Sequence, residues 1–326
     1  MNLFLSHTSA LTYWREHFPL DSELGRSARV SSAESCISQK ADILALVPES
    51  WTEQDTPVDI LVFDNDLRRQ SKRICPHLWS SNIPEGAFHR DNGVYISSPE
   101  FLFLQMAPQL SISKLIALGC ELCGAYVLLP KQRQHPGAVD DHPKRIAPLT
   151  NIDKLNKFLA QAEGARGIRK ARRAARYIAE ASRSPMETMT YMLLCLPPLL
   201  GGYGLPKATL NPDIPLDDEA RIIAKRSHAE GDICWPDHNL DIEYNGEVHS
   251  GLSKMREDAG RILGIESMGW NVITITSPQV FDMVQFEIVA KKAAAHLNWR
   301  LQSKTLGSTP ARCTLHEELE SWMFLQ

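Results

Sequence analysis

Five acidic residues lie within sixteen positions of the stretch "GDICWPDHNLDIEYNGEVH", residues 231 to 249: Asp232, Asp237, Asp241, Glu243 and Glu247. The rest of the stretch reads as buried strand. Carboxylates beside a core are costly unless something cationic holds them. These acids therefore either grip a metal ion or form the wet face of a hairpin. In "LDIEYN" the side chains of a strand alternate, so Asp241, Glu243 and Asn245 share one face and Leu240, Ile242 and Tyr244 the other. "EGDICWP" sets Asp232 next to the apolar Ile233, Cys234 and Trp235, and "PDHN" supplies turn residues between the two runs. A hairpin of this kind brings Asp232 beside Glu243. Convergent carboxylates on neighbouring strands are a usual grip for Mg2+, which takes oxygen ligands and keeps several waters. Such an ion generates hydroxide and stabilises charge on a phosphodiester. The competing reading is a solvent-facing pair, or one bonded to Lys225 or Arg226.

The elements that must position these residues follow from periodicity and punctuation. "ARIIAKRSH", "EGDICWPD", "LDIEYNGEVH" and "WNVITITS" read as four strands, with the helix "LSKMREDAGRILGIESMG" between the third and fourth. Strand, strand, strand, helix, strand, helix implies a small α/β sheet with a crossover. Upstream, "SPMETMTYMLLCL" is a helix whose Ser184, Pro185 and Glu187 form a capping box. "NIDKLNKFLAQAEG" and "ARGIRKARRAARYIAEA" read as two further helices. Before them, "LPKQRQHPGAVDDHPKRIAPLTN" (129–151) lacks apolar periodicity and reads as a linker. The N-terminal part mixes helix with the short strands "VDILVFDN", "CPHLWSS" and "GVYISS". A helix capped by Ser98 and a second apolar helix follow. The expected division is an N-terminal α/β domain (1–130), a linker (131–151), a domain with leading basic helices (152–303) and a tail (304–326).

Between Arg166 and Arg183 there are seven basic residues and one acid, Glu180, in a chain whose net charge is −4. Arg166, Arg169, Lys170, Arg172, Arg173 and Arg176 either contact a phosphate backbone or form a solvated helix face. The overall acidity argues against wholesale coating of nucleic acid, so any such contact is local. The seven cysteines are odd in number and scattered, which suits reduced thiols in a cytoplasmic protein. Cys120 and Cys123 form a lone C-x-x-C in an apolar run. It reads as core helix, because a structural zinc site needs further ligands at matching spacing. No segment approaches the roughly 18 apolar residues of a membrane span, and no secretory signal opens the chain.

An ordered set of features from Ser184 to Thr276 resembles the PD-(D/E)XK endonucleases, in the branch related to very-short-patch repair nucleases (the DUF559 group). These features are "SPMET" opening a helix, "YGLP", "GDICWP", "LDIEYNGEVH", "REDAGR" in a helix and "GWNVITIT" in a final strand. The resemblance implies a restriction-endonuclease-like mixed sheet flanked by helices, preceded by a smaller α/β or α+β N-terminal domain. It implies hydrolysis of DNA with Mg2+ or Mn2+ held by Asp232 and Glu243, with Glu187 as an acid from the first helix. Asn245 stands where the superfamily often has Lys and the DUF559 group commonly has Asp. It can position a water but carries no charge. His249 either closes the strand or donates a proton to the leaving oxygen. Asp258 and Arg261 match a recurrent D-x-x-R and read as an i,i+3 ion pair. "NGVYISSPEFLFLQMAPQLSISKLIALGCELCG" is similar to a helical segment of AbiEi-type antitoxin-like proteins, which implies a recognition or regulatory module with a protein partner. Two functions follow as expectations: a metal-dependent endonuclease acting on DNA, or a DNA-binding regulator that keeps the fold without turnover, as in a toxin–antitoxin or defence module.

Overall fold

The computed structural model of the chain describes residues 2–17, 27–28, 30, 36–37, 39–52, 56–68, 71–128, 147–246, 252–302 and 309–324. The chain divides into two compact units, one of Met1–Leu122 with Pro148–Arg176 and one of Cys123–Ala147 with Tyr177–Gln326. Both are mixed α/β.

Unit 1 contains β1 (Leu3–Leu5), α1 (His7–Glu16), β2 (Ser27–Ala28), α2 (Lys40–Ala45), α3 (Glu49–Thr52), β3 (Val58–Val62), β4 (Ile74–Leu78), β5 (Phe88–Asp91) and β6 (Val94–Ser97). The helices α4 (Pro99–Met106), α5 (Ile112–Leu122), α6 (Ile152–Gln161) and α7 (Ile168–Ala175) complete it. Its sheet runs β2-β5-β6-β1-β3-β4, with β1 parallel to β6 and β3 parallel to β4. Ser98 caps α4 by accepting the Phe101 N–H, and Asn151 caps α6 by accepting that of Lys154, as their residue types require. Cys120, and Cys123 at the start of unit 2, are buried and outside any disulfide. The basic helix α7 clusters with unit 1, whereas the sequence reading attached it to the domain that follows. Ile168, Ala171, Ala174 and Ala175 supply the apolar face that buries it there.

Unit 2 contains α8 (Pro185–Cys195), β7 (Thr209–Leu210), β8 (Asp213–Pro215), α9 (Asp218–Ala224), β9 (His228–Glu230), β10 (Ile233–Trp235) and β11 (Leu240–Tyr244). Then come α10 (Leu252–Ser267), β12 (Asn271–Ile275), α11 (Ser277–Phe281), α12 (Met283–His296) and α13 (Pro310–Phe324). The sheet order is β12-β11-β10-β7. The pairs β7/β10 and β10/β11 are antiparallel and β11/β12 is parallel, so α10 serves as the crossover. Ile233 faces Ile242, Cys234 faces Asp241 and Trp235 faces Leu240. The turn is one 3-10 turn, Pro236–His238, closed by Asn239 at φ 48°, a left-handed conformation that Asn tolerates.

Two expectations are corrected in this unit. "ARIIAKRSH" is not one strand: Asp217 caps a helix by accepting the Ala220 N–H, and Asp218 and Glu219 occupy its first turn. The strand β9 begins only at His228. Residues 304–326, read as a tail, include the helix α13, whose Leu315, Leu319 and Trp322 are buried. Helices α9 and α10 pack closely through small residues. A Cβ on Gly264 would lie 3.1 Å from that of Ala224. Ala220, Ala224 and Ile265 join Cys234 in one apolar cluster, which covers the face of β10 that carries this thiol.

No helix among the described residues is long and apolar enough to cross a membrane.

Candidate active site

Strand alternation places Asp232, Cys234, Asp241 and Glu243 on one face of the β10–β11 hairpin. The face is buried rather than wet. Asp241 is 0% exposed, Glu243 5%, and Glu187, from the first turn of α8, 6%. Four carboxylates thus sit in or beside the core, and each is held differently.

Asp232 Oδ2 accepts the Tyr244 N–H at 2.8 Å. Burial, then the neighbouring charges of Glu243 and Glu187, hold its carboxyl well above the usual carboxylate range. Glu243 lies across the hairpin and is clamped by Arg261 from α10, whose Nη1 and Nη2 reach its two oxygens at 2.5 and 2.7 Å. Arg261 Nη1 also donates to the Glu230 carbonyl at 2.6 Å. Arg261 therefore reaches across the sheet to Glu243, not along its helix to Asp258. This bidentate pair is charge-assisted and largely buried, with side-chain exposures of 14% and 6%.

Glu187 lies in the first turn of α8, three residues past its N-cap Ser184. Its N–H donates to Ser184 Oγ at 3.1 Å, and its carboxylate accepts from Ser184 Oγ at 2.9 Å and from the Arg183 N–H at 2.8 Å. Asn211 Nδ2 adds a bond of 2.6 Å to the same carboxylate. Capping and proximity to Asp232 coexist at this residue.

Asp241 was not singled out as a site residue. Its Oδ1 accepts the Cys234 thiol at 3.2 Å, and its Oδ2 is buried with no partner. Burial, then the Glu243 charge, pushes its carboxyl up to about 9, so it is protonated at neutral pH. The backbone of Gly231 lies against this carboxyl. A Cβ there would fall 2.4 Å from Cys234 Sγ and 2.7 Å from Asp241 Oδ2. Gly231 is the residue that lets the first strand approach the buried acid.

Asn245 is exposed at the end of β11, where its N–H donates to the Ile275 carbonyl at 2.8 Å. His249 and Glu247 lie outside the described residues. A cleft of about 390 Å3 opens beside the acids and is lined by Arg183, Glu187, Asn211, Arg226, Asp232 and Arg261, among others. Arg183 at its rim is paired with Glu230.

In unit 1 the six basic residues separate into two kinds. Lys170 Nζ donates to the Leu110 carbonyl, and Arg172 Nη2 donates to the Leu159 carbonyl at 2.9 Å. Arg166, Arg169, Arg173 and Arg176 are, like Arg172, exposed; Arg169 and Arg173 share one face of α7 at i, i+4 spacing, whereas Arg166 precedes the left-handed N-cap Gly167 and Arg176 is the C-cap.

Glu187, Asp232 and Glu243 do not bring three ligand atoms within 4.8 Å of one another. Among the described residues, the one group of three that does is Asp59, Cys75 and His77 in unit 1. Its only linear signal is the strand "CPH", which puts Cys75 and His77 on one face. The third ligand comes from a different strand.

The chain matches no family model, no curated protein and no solved structure.

Proposed function

We propose that unit 2 is a metal-dependent phosphodiesterase domain that cuts DNA at the cleft beside Asp232 and Glu243. The observation that supports this reading is a cluster of carboxyl groups, Glu187, Asp232, Asp241 and Glu243, held in or beside the core with Arg261 as the cation paired to Glu243. The reading also draws on the order α8, β7, β10, β11, α10, β12, into which β8, α9 and β9 are inserted after β7.

The donor set fits Mg2+ or Mn2+. It consists of carboxyl oxygens, which hard divalent cations take once the groups are deprotonated. Asp232 and Glu243 would hold the ion, with Glu187 beside them. Once bound, the ion supplies an activated water and neutralises charge on a phosphoryl oxygen. Arg261, bonded to both Glu243 oxygens, would share that carboxylate with the ion. Arg183 and Arg226 line the cleft and orient the phosphate. Asn245 positions the attacking water through its amide, and His249 donates a proton to the leaving oxygen. Arg166, Arg169, Arg173 and Arg176 grip the DNA backbone.

A second reading, DNA binding without turnover, draws on two observations. Both Glu243 oxygens are engaged by Arg261, and Asn245 cannot polarise a water as a lysine would. Incubating supercoiled plasmid with the chain in Mg2+ and in Mn2+ separates the two. Nicking that Asp232→Asn and Glu243→Gln abolish supports the nuclease. Salt-dependent plasmid binding with no nicking in either metal supports the binder and rejects the nuclease.

A further inference from the structure

The donors gathered in unit 1 are of another chemical kind. The parallel register of β3 and β4 sets Asp59 beside Cys75 and Leu61 beside His77. Cys75 and His77 are two residues apart on β4, so they point to the same side as Asp59. One ligand atom of each lies within 4.8 Å of the other two, and His77 Nε2 lies 2.7 Å from Asp59 Oδ1. All three side chains are half-buried on the outermost strand of the sheet and its neighbour. His7, at the start of α1, stacks on His77 with ring centroids 3.6 Å apart. His7 and His77 face a cleft of about 350 Å3 that Arg68, Gln105, Gln109 and Arg166 also line.

We propose that Asp59, Cys75 and His77 bind a divalent cation of the zinc class, with one coordination position open to this cleft. A thiolate, an imidazole and a carboxylate are the ligand types zinc takes, and three protein ligands with one open position are the arrangement of its catalytic sites. A soft sulfur donor disfavours Mg2+ and Ca2+, which prefer oxygen. Tetrahedral ligands about 2.0–2.3 Å from zinc lie roughly 3.3–3.8 Å apart, so the present separations require side-chain movement on the order of 1 Å. The Asp59–His77 bond opens when both turn to the ion, and the Cys75 proton leaves to solvent. Stacking on His7 restricts the His77 ring to one orientation. The open position takes a water or an anionic oxygen, since Arg68 and Arg166 flank the cleft. This site is independent of the acids of unit 2, and neither proposal requires the other.

The test is Co2+ titration of the metal-stripped full chain, followed by competition with Zn2+. The expected spectrum has a thiolate-to-cobalt charge-transfer band in the near ultraviolet, and the band itself saturates at one ion per chain. Cys75→Ser abolishes the band, His77→Ala weakens Zn2+ binding at least tenfold, and the double variant Asp232→Asn, Glu243→Gln leaves both unchanged. A cobalt spectrum without that band, or a band that survives Cys75→Ser, overturns the proposal. Should the variants fail to fold, iodoacetamide labelling of the wild-type chain with peptide mass spectrometry decides the matter. Zn2+ must then slow alkylation of Cys75 at least tenfold, and an unchanged rate overturns the site.

Discussion

The two polar clusters of this protein are built on opposite principles. In unit 1, an acid, a thiol and an imidazole share a half-buried sheet edge, with His7 stacked on the imidazole. In unit 2, carboxylates are driven into the core beside one clamping guanidinium. The first cluster mixes soft and hard donors and the second is almost purely hard, so the two would select different ions. They also respond to pH in opposite senses. Burial, then His77, lowers the His7 imidazole to about 3 from the usual 6.5. The unfolded chain therefore binds the extra proton, and unit 1 loses stability as pH falls below about 6.5. Asp232 and Asp241 have raised folded values, so the folded chain holds the extra protons. Unit 2 loses stability as pH rises from about 4 toward about 9, the folded value of Asp241. Pulse proteolysis across this range, read by peptides of each unit, should show opposite slopes. Parallel slopes would break the contrast.

The largest single effect should come from Arg261→Ala. It leaves Glu243 buried without its cation and should cost about 3–5 kcal/mol of unit 2 stability by chemical denaturation. A loss under about 1 kcal/mol would mean that the clamp is replaceable by water. Gly231→Ala should cost about 1–3 kcal/mol, because its methyl overlaps Cys234 and Asp241 and something must shift. Asp241→Asn should act in the other direction. An amide mimics the protonated acid without the burden of ionisation, so it should add about 1 kcal/mol at pH 8 and flatten the alkaline slope. Destabilisation instead would mean that the carboxylate is needed ionised. At the small end, Arg169→Ala with Arg173→Ala should leave stability within about 0.5 kcal/mol. The same pair should reduce the salt slope of DNA binding by about 2.

Much of unit 2 was legible because its signals are local. Alternation in "LDIEYN", turn residues in "PDHN" and the N-cap at Ser184 each act over a few residues, and each is present in the structure. The segment "ARIIAKRSH" misled because Ile222 and Ile223 favour strand, while the Asp217 cap and acidic first turn favour helix. The exposed Ile222 shows that its apolarity was not directed at the core. Asp232 and Glu243 lie on one face of the hairpin, as its alternation requires. Whether their face is wet depends on what covers it, and α9, α10 and Arg261 arrive from outside the hairpin. That long-range cover made Asp241 a buried acid and drew Arg261 away from Asp258. The cluster of Asp59, Cys75 and His77 was illegible for the same reason, since the parallel register that joins β3 to β4 has no linear signature.

The most direct measurement is single-turnover cleavage of supercoiled plasmid with Mg2+ and excess protein, comparing the intact chain with Asp232→Asn after calorimetry shows that both bind Mg2+ or only one does. If unit 2 is a nuclease, the intact chain nicks the plasmid and binds the ion, whereas Asp232→Asn stays folded and does neither. Equal nicking by both proteins, or none by the intact chain in Mg2+ and Mn2+, would contradict it.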